Sequence, residues 1–195
     1  RHEVRAECGV NSHIHIMTVM IGSGDIYSDD HVTLSGDGAR FDADAAYLGK
    51  NSQTIDYNIV ADHFGKKTES LITVNGALTD SAKKVFRGTI DFKKGSADSV
   101  GSENETVLML GDDVVNKTVP LILCAEENVE GTHGATIGEL DADTMFYFES
   151  RGIDRETAEK IMAYAAVERL IHMADDSEFA AEVEKDMGIK TDTEE

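Results

Sequence analysis

Apolar and polar residues alternate along much of the first two thirds of the chain, with a period of two. Over residues 12–20, His13, His15, Met17 and Val19 interleave with Ile14, Ile16, Thr18 and Met20, the pattern of a strand with two unlike faces. Short runs of the same kind recur at 31–34, 55–61, 70–74, 85–92, 107–110 and 121–124. Glycine, asparagine and aspartate separate them, as in Gly22-Ser23-Gly24-Asp25, Ser35-Gly36-Asp37-Gly38 and Gly49-Lys50-Asn51-Ser52. No helix-period segment interrupts this region. Many short strands joined by close turns fit a sandwich, a barrel or a parallel β-helix. Very short strands, interleaved small and polar residues and the lack of tryptophan favour the β-helix, although no exact repeat unit is visible. Pro120, the only proline, stands just before the run at 121–124, where its missing N–H does least harm.

After Gly138 the period changes. Asp141 is placed to cap a short helix running through Ser150, which Gly152 ends. Asp154 caps a longer helix in which Ala158, Ile161, Met162, Ala165, Ala166, Leu170 and Met173 form an apolar stripe. That stripe is expected to pack on the open end of the solenoid and cover its unpaired edge, with some apolar groups left for a second protein. A third helix is expected at 177–187, stopped by Gly188. The domains expected are a β-helix core at 1–138, a helical segment at 139–189 and a disordered tail at 190–195, which has no apolar content.

Charge narrows the partners. A net charge of −20 and a pI near 4.6 would repel a nucleic-acid backbone and an anionic membrane surface. They suit a basic protein partner or a metal cation. At 195 residues the chain is long enough for one sizeable core. Cys8 and Cys124 are too few for a disulfide framework and lack paired zinc spacing. No apolar run approaches the ~20 residues of a membrane span. No signal peptide opens the chain, which starts at Arg1 without a methionine. A cytoplasmic, reduced protein, present as a fragment lacking its N-terminal part, is the expectation.

The junction between the two periodicities holds the most chemistry. In Gly131-Thr132-His133-Gly134-Ala135-Thr136-Ile137-Gly138 the imidazole of His133 has little side-chain bulk around it. Such a histidine is either an iron ligand or a hydrogen-bonding cap on the last β-helix turn. Cys124, followed by Glu126 and Glu127, is either a ligand for iron or sulfide or a small buried hydrophobe. His13 and His15 share one face at a metal-like spacing, but no third ligand is in view. Gly22-Ser23-Gly24-Asp25 lacks the lysine of a phosphate-binding loop, and no dinucleotide fingerprint follows a strand, so no nucleotide is expected on this chain. No Ser/His/Asp arrangement stands out. A metal-dependent β-helix hydrolase or lyase, or an acidic interaction module, are the alternatives to a scaffold; the poverty of aromatics weakens sugar stacking.

His133-Gly134-Ala135-Thr136, followed by Phe146-Tyr147 and Ser150-Arg151-Gly152, resembles the SufB/SufD family of iron–sulfur cluster assembly scaffolds, the SufD branch more than SufB. His63 with Thr68 and Ser70, Val85-Phe86-Arg87-Gly88-Thr89-Ile90 and Val107-Leu108-Met109-Leu110 agree, extending the resemblance over about 55–173. It implies a right-handed parallel β-helix followed by a C-terminal α-helical segment. It also implies a non-enzymatic scaffold that shares a transient iron–sulfur cluster across a dimer interface with a SufB-like subunit or with itself. A SufC-type ABC ATPase would dock on the helical region and supply the ATPase activity. The resemblance makes His133 a metal ligand and Phe146, Tyr147, Arg151 and Ile153 partner-binding, and it makes His63 structural. Cys124 and Glu105 complete the candidate metal set; Glu105 stands where SufB relatives carry a cysteine. Gly134 replaces their glutamate, and Gly131 replaces a cysteine common in SufD relatives. With these thiolates missing, the chain is expected to be the histidine-bearing half of a shared site.

Overall fold

In the computed structural model, which describes residues 1–186, the alternation resolves into two facing five-stranded parallel sheets. The first holds β1 (His2–Cys8), β3 (Ile26–Leu34), β5 (Thr54–His63), β7 (Lys83–Phe92) and β9 (Val115–Cys124), in that order. The second holds β2 (His13–Met20), β4 (Arg40–Gly49), β6 (Glu69–Leu78), β8 (Ser99–Met109) and β10 (Val129–Glu139). Successive strands alternate between the sheets, so the chain winds as a parallel β-solenoid with one strand per sheet in every coil.

The repeat that the apolar residues conceal is carried by the turns. Thr54 N donates to Asp25 Oδ1, Asn51 N to Asp80 Oδ2 and Lys66 N to Asp37 Oδ1, each across 29 residues. Asn11, Lys67 and Asp98 adopt positive φ in one column of turns, and Asn51 and Asp80 in the other. Gly36 and Gly65 stack backbone on backbone: a Cβ added to Gly65 would lie 2.2 Å from Gly36 O. The strands also run longer than the apolar runs suggested, because their outward residues are polar. No strand was expected at β1 or β4, where Glu3, Arg5, Asp42 and Asp44 interrupt the apolar residues, and the glycine-rich junction string is itself a strand, β10.

Inward residues stack in columns one coil apart. Phe41, Ile55, Ile59, Ile72, Phe86, Ile90 and Phe92 fill the lumen and are fully buried. His63 is buried among them and bonds Thr68 Oγ1 at 2.7 Å and Ser70 Oγ at 2.9 Å, while Thr68 Oγ1 lies 2.7 Å from Ser99 Oγ. The network bridges successive coils at one turn, so His63 has a visible structural task.

The helices begin where the caps indicated. α1 (Ala142–Glu149) starts after Asp141, which accepts from Thr144 N, and α2 (Arg155–Met173) after Asp154, which accepts from Thr157 N. Gly152, at φ +77°, breaks the chain between them. α3 is Ser177–Asp186; the stop expected at Gly188 and the tail expected at 190–195 lie outside the described residues. The buried face of α2 is not the expected stripe. Ala158, Ala163, Val167, Leu170 and Ile171 are buried, whereas Ile161, Ala165 and Met173 are exposed. Apolar residues surround this alanine-rich helix, so spacing alone does not select the face. Nor does α2 cover the solenoid end. It lies on the outer face of the second sheet, against Val19, Ile21, Ala46, Leu48 and Ala77, and Arg169 pairs with Asp44 at 2.6 Å.

Candidate site at the open end of the solenoid

Because α2 takes the side of the second sheet, the final coil keeps an uncovered edge. Among the described residues β10 pairs only with β8, and all its residues except Val129 and Gly138 are exposed. Val119, Leu121, Leu123 and Ile137, which is 56% exposed, add apolar surface to this coil. A parallel edge presents unpaired N–H and C=O groups, which nature ordinarily covers or pairs.

His133 lies on this edge strand. Its register partner is Glu103, which in turn lies against Ile72 and Ala43, so His133 takes the inward position of the last coil, with no further strand above it among the described residues. Cys124 also takes an inward position, above Phe92, and is exposed. The two do not converge. Gly131 faces Ile122 across the lumen, so Cys124 lies two residues along one way and His133 two residues the other, an offset of about 13 Å along the strands at ~3.3 Å per residue, on opposite walls of the lumen.

Glu105 points inward and is buried, with Lys84 beside it in the lumen. Lys84 Nζ donates to Glu105 Oε1 and, at 3.1 Å, to Thr118 Oγ1, and Thr118 donates to Glu105 Oε2. Its carboxylate is thereby occupied by partners on β7 and β9. Burial lowers the Lys84 ammonium below its ordinary range, and the Glu105 charge opposes that.

Glu103 and Lys84 are residues that reading by motif missed. Glu103 is buried, and among the described residues its Oε2 has no hydrogen-bond partner. It occupies the space left by Gly88, where a Cβ would lie 2.0 Å from Oε2. Burial, aided by the Glu105 charge and opposed by Lys84, pushes its carboxyl up to about 7. The signal was present: Val107 fixes the inward phase of β8, and that phase runs back through Glu105 and Glu103.

Glu103 and His63 set opposite pH dependences. Folded Glu103 keeps its proton up to about pH 7, against 4.5 when unfolded, so its stabilisation is complete below 4.5 and is lost as pH rises through 7. Folded His63 refuses a proton down to about pH 4, against 6.5 when unfolded, so its stabilisation is complete above 6.5 and is lost as pH falls through 4. Each amounts to about 3 kcal/mol, at ~1.4 kcal/mol per pH unit, and in the wild type they largely offset each other. Urea unfolding should therefore show Glu103→Gln gaining about 3 kcal/mol over wild type as pH rises past 7, and His63→Ala falling behind by about 3 kcal/mol more at neutral pH than at pH 4. Differences independent of pH would contradict both assignments.

The predicted partner residues lie on and after α1. Phe146 is 72% and Tyr147 54% exposed. The Arg151 guanidinium stacks 3.6 Å from the Tyr147 ring centroid and donates to Tyr147 O at 3.2 Å; Ile153 is half-buried. His13 and His15 face outward and bond Asp42 and Asp44, each at 2.9 Å. Among the described residues, no group of three or more His, Cys, Asp or Glu side chains is arranged to hold a metal ion. Among them too, no helix is long and apolar enough to cross a membrane.

Fold and site together define a β-solenoid with a side-docked helical segment and an open, histidine-bearing last coil. Residues 2–166 match the family described as SUF system FeS cluster assembly, SufBD core domain, and the chain belongs to that family. It is 31% identical over 156 residues to the iron-sulfur cluster assembly protein SufD of Bacillus subtilis, covering 80% of this chain and 36% of that protein. A chloroplastic SufBD family protein of Arabidopsis thaliana is 28% identical over 93% of this chain and 32% of its own length. One from Synechocystis is 26% identical over 93% of this chain and 38% of its own length. The chain thus spans about a third of the length of these curated relatives.

Proposed function

We propose that this chain is a scaffold subunit of the SUF iron–sulfur assembly machinery, acting without catalysis of its own. Its last coil docks a SufB-like subunit or a second copy, and a SufC-type ABC ATPase engages the helical segment around Phe146, Tyr147, Arg151 and Ile153. Iron and sulfide are the cargo, held transiently where the two subunits meet. His133 is this chain's ligand to that cargo.

The observation that carries this reading is the uncovered β10 strand with His133 at its inward position. One chain brings an exposed imidazole but no converging set of three donors among the described residues, which suits half of a shared site. ATP-driven closure of the ATPase would act through the helical segment and reshape the interface around His133.

Anaerobic reconstitution with ferrous iron, sulfide and SufB- and SufC-type partners tests the proposal. The wild-type assembly should develop cluster absorbance, and His133→Ala should lose about nine tenths of it while keeping its partners, since one ligand of a shared site is gone. Equal cluster content in the variant would refute the role of His133. Substrate turnover by the chain without partners would instead support the hydrolase or lyase alternative.

A further inference from the structure

We propose that Glu103 is an inner ligand for the same cation that His133 binds, so that this chain carries a two-ligand half-site for a divalent first-row metal ion such as ferrous iron. The inference rests on the reading of His133 as a ligand to cargo iron.

The two residues occupy one inward column of the second sheet, in direct register on adjacent parallel strands. Such neighbours lie about 4.8 Å apart at the backbone, a separation from which an imidazole and a carboxylate reach one ion. Below them the column is apolar: Ile72, then Ala43, then Ile16. Across the lumen stand Gly88 and, one coil further, Pro120, which has no N–H to give. A buried carboxylate oxygen in such surroundings is costly unless a donor or a cation meets it. The nearest cation in the lumen, Lys84, is already held by Glu105 and Thr118. Among the described residues Glu103 Oε2 is left without a partner, in a residue only 2% exposed. His133, on the exposed last strand, stands between Glu103 and the open end of the solenoid.

A cation seated between the two would supply the charge this part of the lumen lacks. It would draw the Glu103 carboxyl into its ionised form, which burial otherwise disfavours. One imidazole nitrogen with one carboxylate oxygen suits ferrous iron and its neighbours in the first row. Water or a partner subunit's groups complete the coordination. Cys124, on the far side of Gly131, and Glu105, bound to Lys84, are not part of it.

Anaerobic titration of the full-length protein with Co²⁺, an optical stand-in for Fe²⁺, provides the test. Wild type, Glu103→Gln, His133→Ala and the double variant are compared at equal protein concentration, with urea unfolding confirming that each is folded. Wild type should bind one equivalent. Each single variant should bind at least about tenfold more weakly, and the double variant should bind little more weakly than either, as for two ligands of one ion. If Glu103→Gln binds like wild type while His133→Ala is weakened, the inner-ligand proposal fails and the reading of His133 stands. If His133→Ala binds like wild type, the reading beneath it fails. Wild type binding no Co²⁺ at millimolar concentration overturns the half-site outright.

Discussion

Lys84→Met should cost about 3–5 kcal/mol of stability at neutral pH, because it removes the cation from a buried pair and leaves the carboxylate behind. Lys84 and Glu105 are both about 1% exposed at their side chains, so water does not replace the lost partner. Glu103, one inward position away on β8, loses the nearby positive charge that opposes its own neutralisation. Thr118 keeps one bond, to Glu105 Oε2. Adding Glu105→Leu to Lys84→Met should recover most of the loss, since replacing both members of a buried pair by apolar groups of similar volume is close to neutral. Urea unfolding of wild type and the two variants at neutral pH checks both expectations. A single-variant cost below about 1 kcal/mol would mean that the pair is solvated in a way its burial contradicts.

The lumen thus changes character along its length. Columns that are apolar in the early coils turn acidic in β8, with Glu103 over Ile72 and Glu105 over Val74, and end in His133 and Ala135 on β10. Charged groups buried at a solenoid end weaken the fold, and natural proteins break packing rules in this way mainly where a site requires it.

Much of this architecture was readable in the residues, and the failures have specific causes. Alternation placed seven of the ten described strands and missed β1, β4 and β10, whereas Asp141 and Asp154 placed the helix starts, because capping is a local signal. The repeat was invisible to an apolar search since Asp25, Asp37 and Asp80 carry it through turn bonds to backbone N–H groups one coil away. The docking face of α2 was misread because its alanines and aliphatics point all round, and only the small residues Ala46 and Ala77 on the sheet decide which face fits. Glu103 and Lys84 escaped notice because a charged residue in a strand ordinarily faces water. Their phase relative to Val107 and Phe86 was the available clue. The motif at His133 pointed to the right stretch, but its glycines read as a junction, whereas they lie in the edge strand itself.

The most direct test of the account is whether the uncovered last coil is the docking face. Leu121 and Ile137 are exposed on β9 and β10 and contribute little to the core, so Leu121→Lys/Ile137→Lys should leave unfolding of the isolated chain within about 0.5 kcal/mol of wild type. Light scattering on the full-length protein with a SufB-like partner, and on the protein alone, should then show paired subunits for wild type and at least about 100-fold weaker pairing for the variant. Pairing of undiminished strength in the double variant would place the interface elsewhere and contradict the central claim.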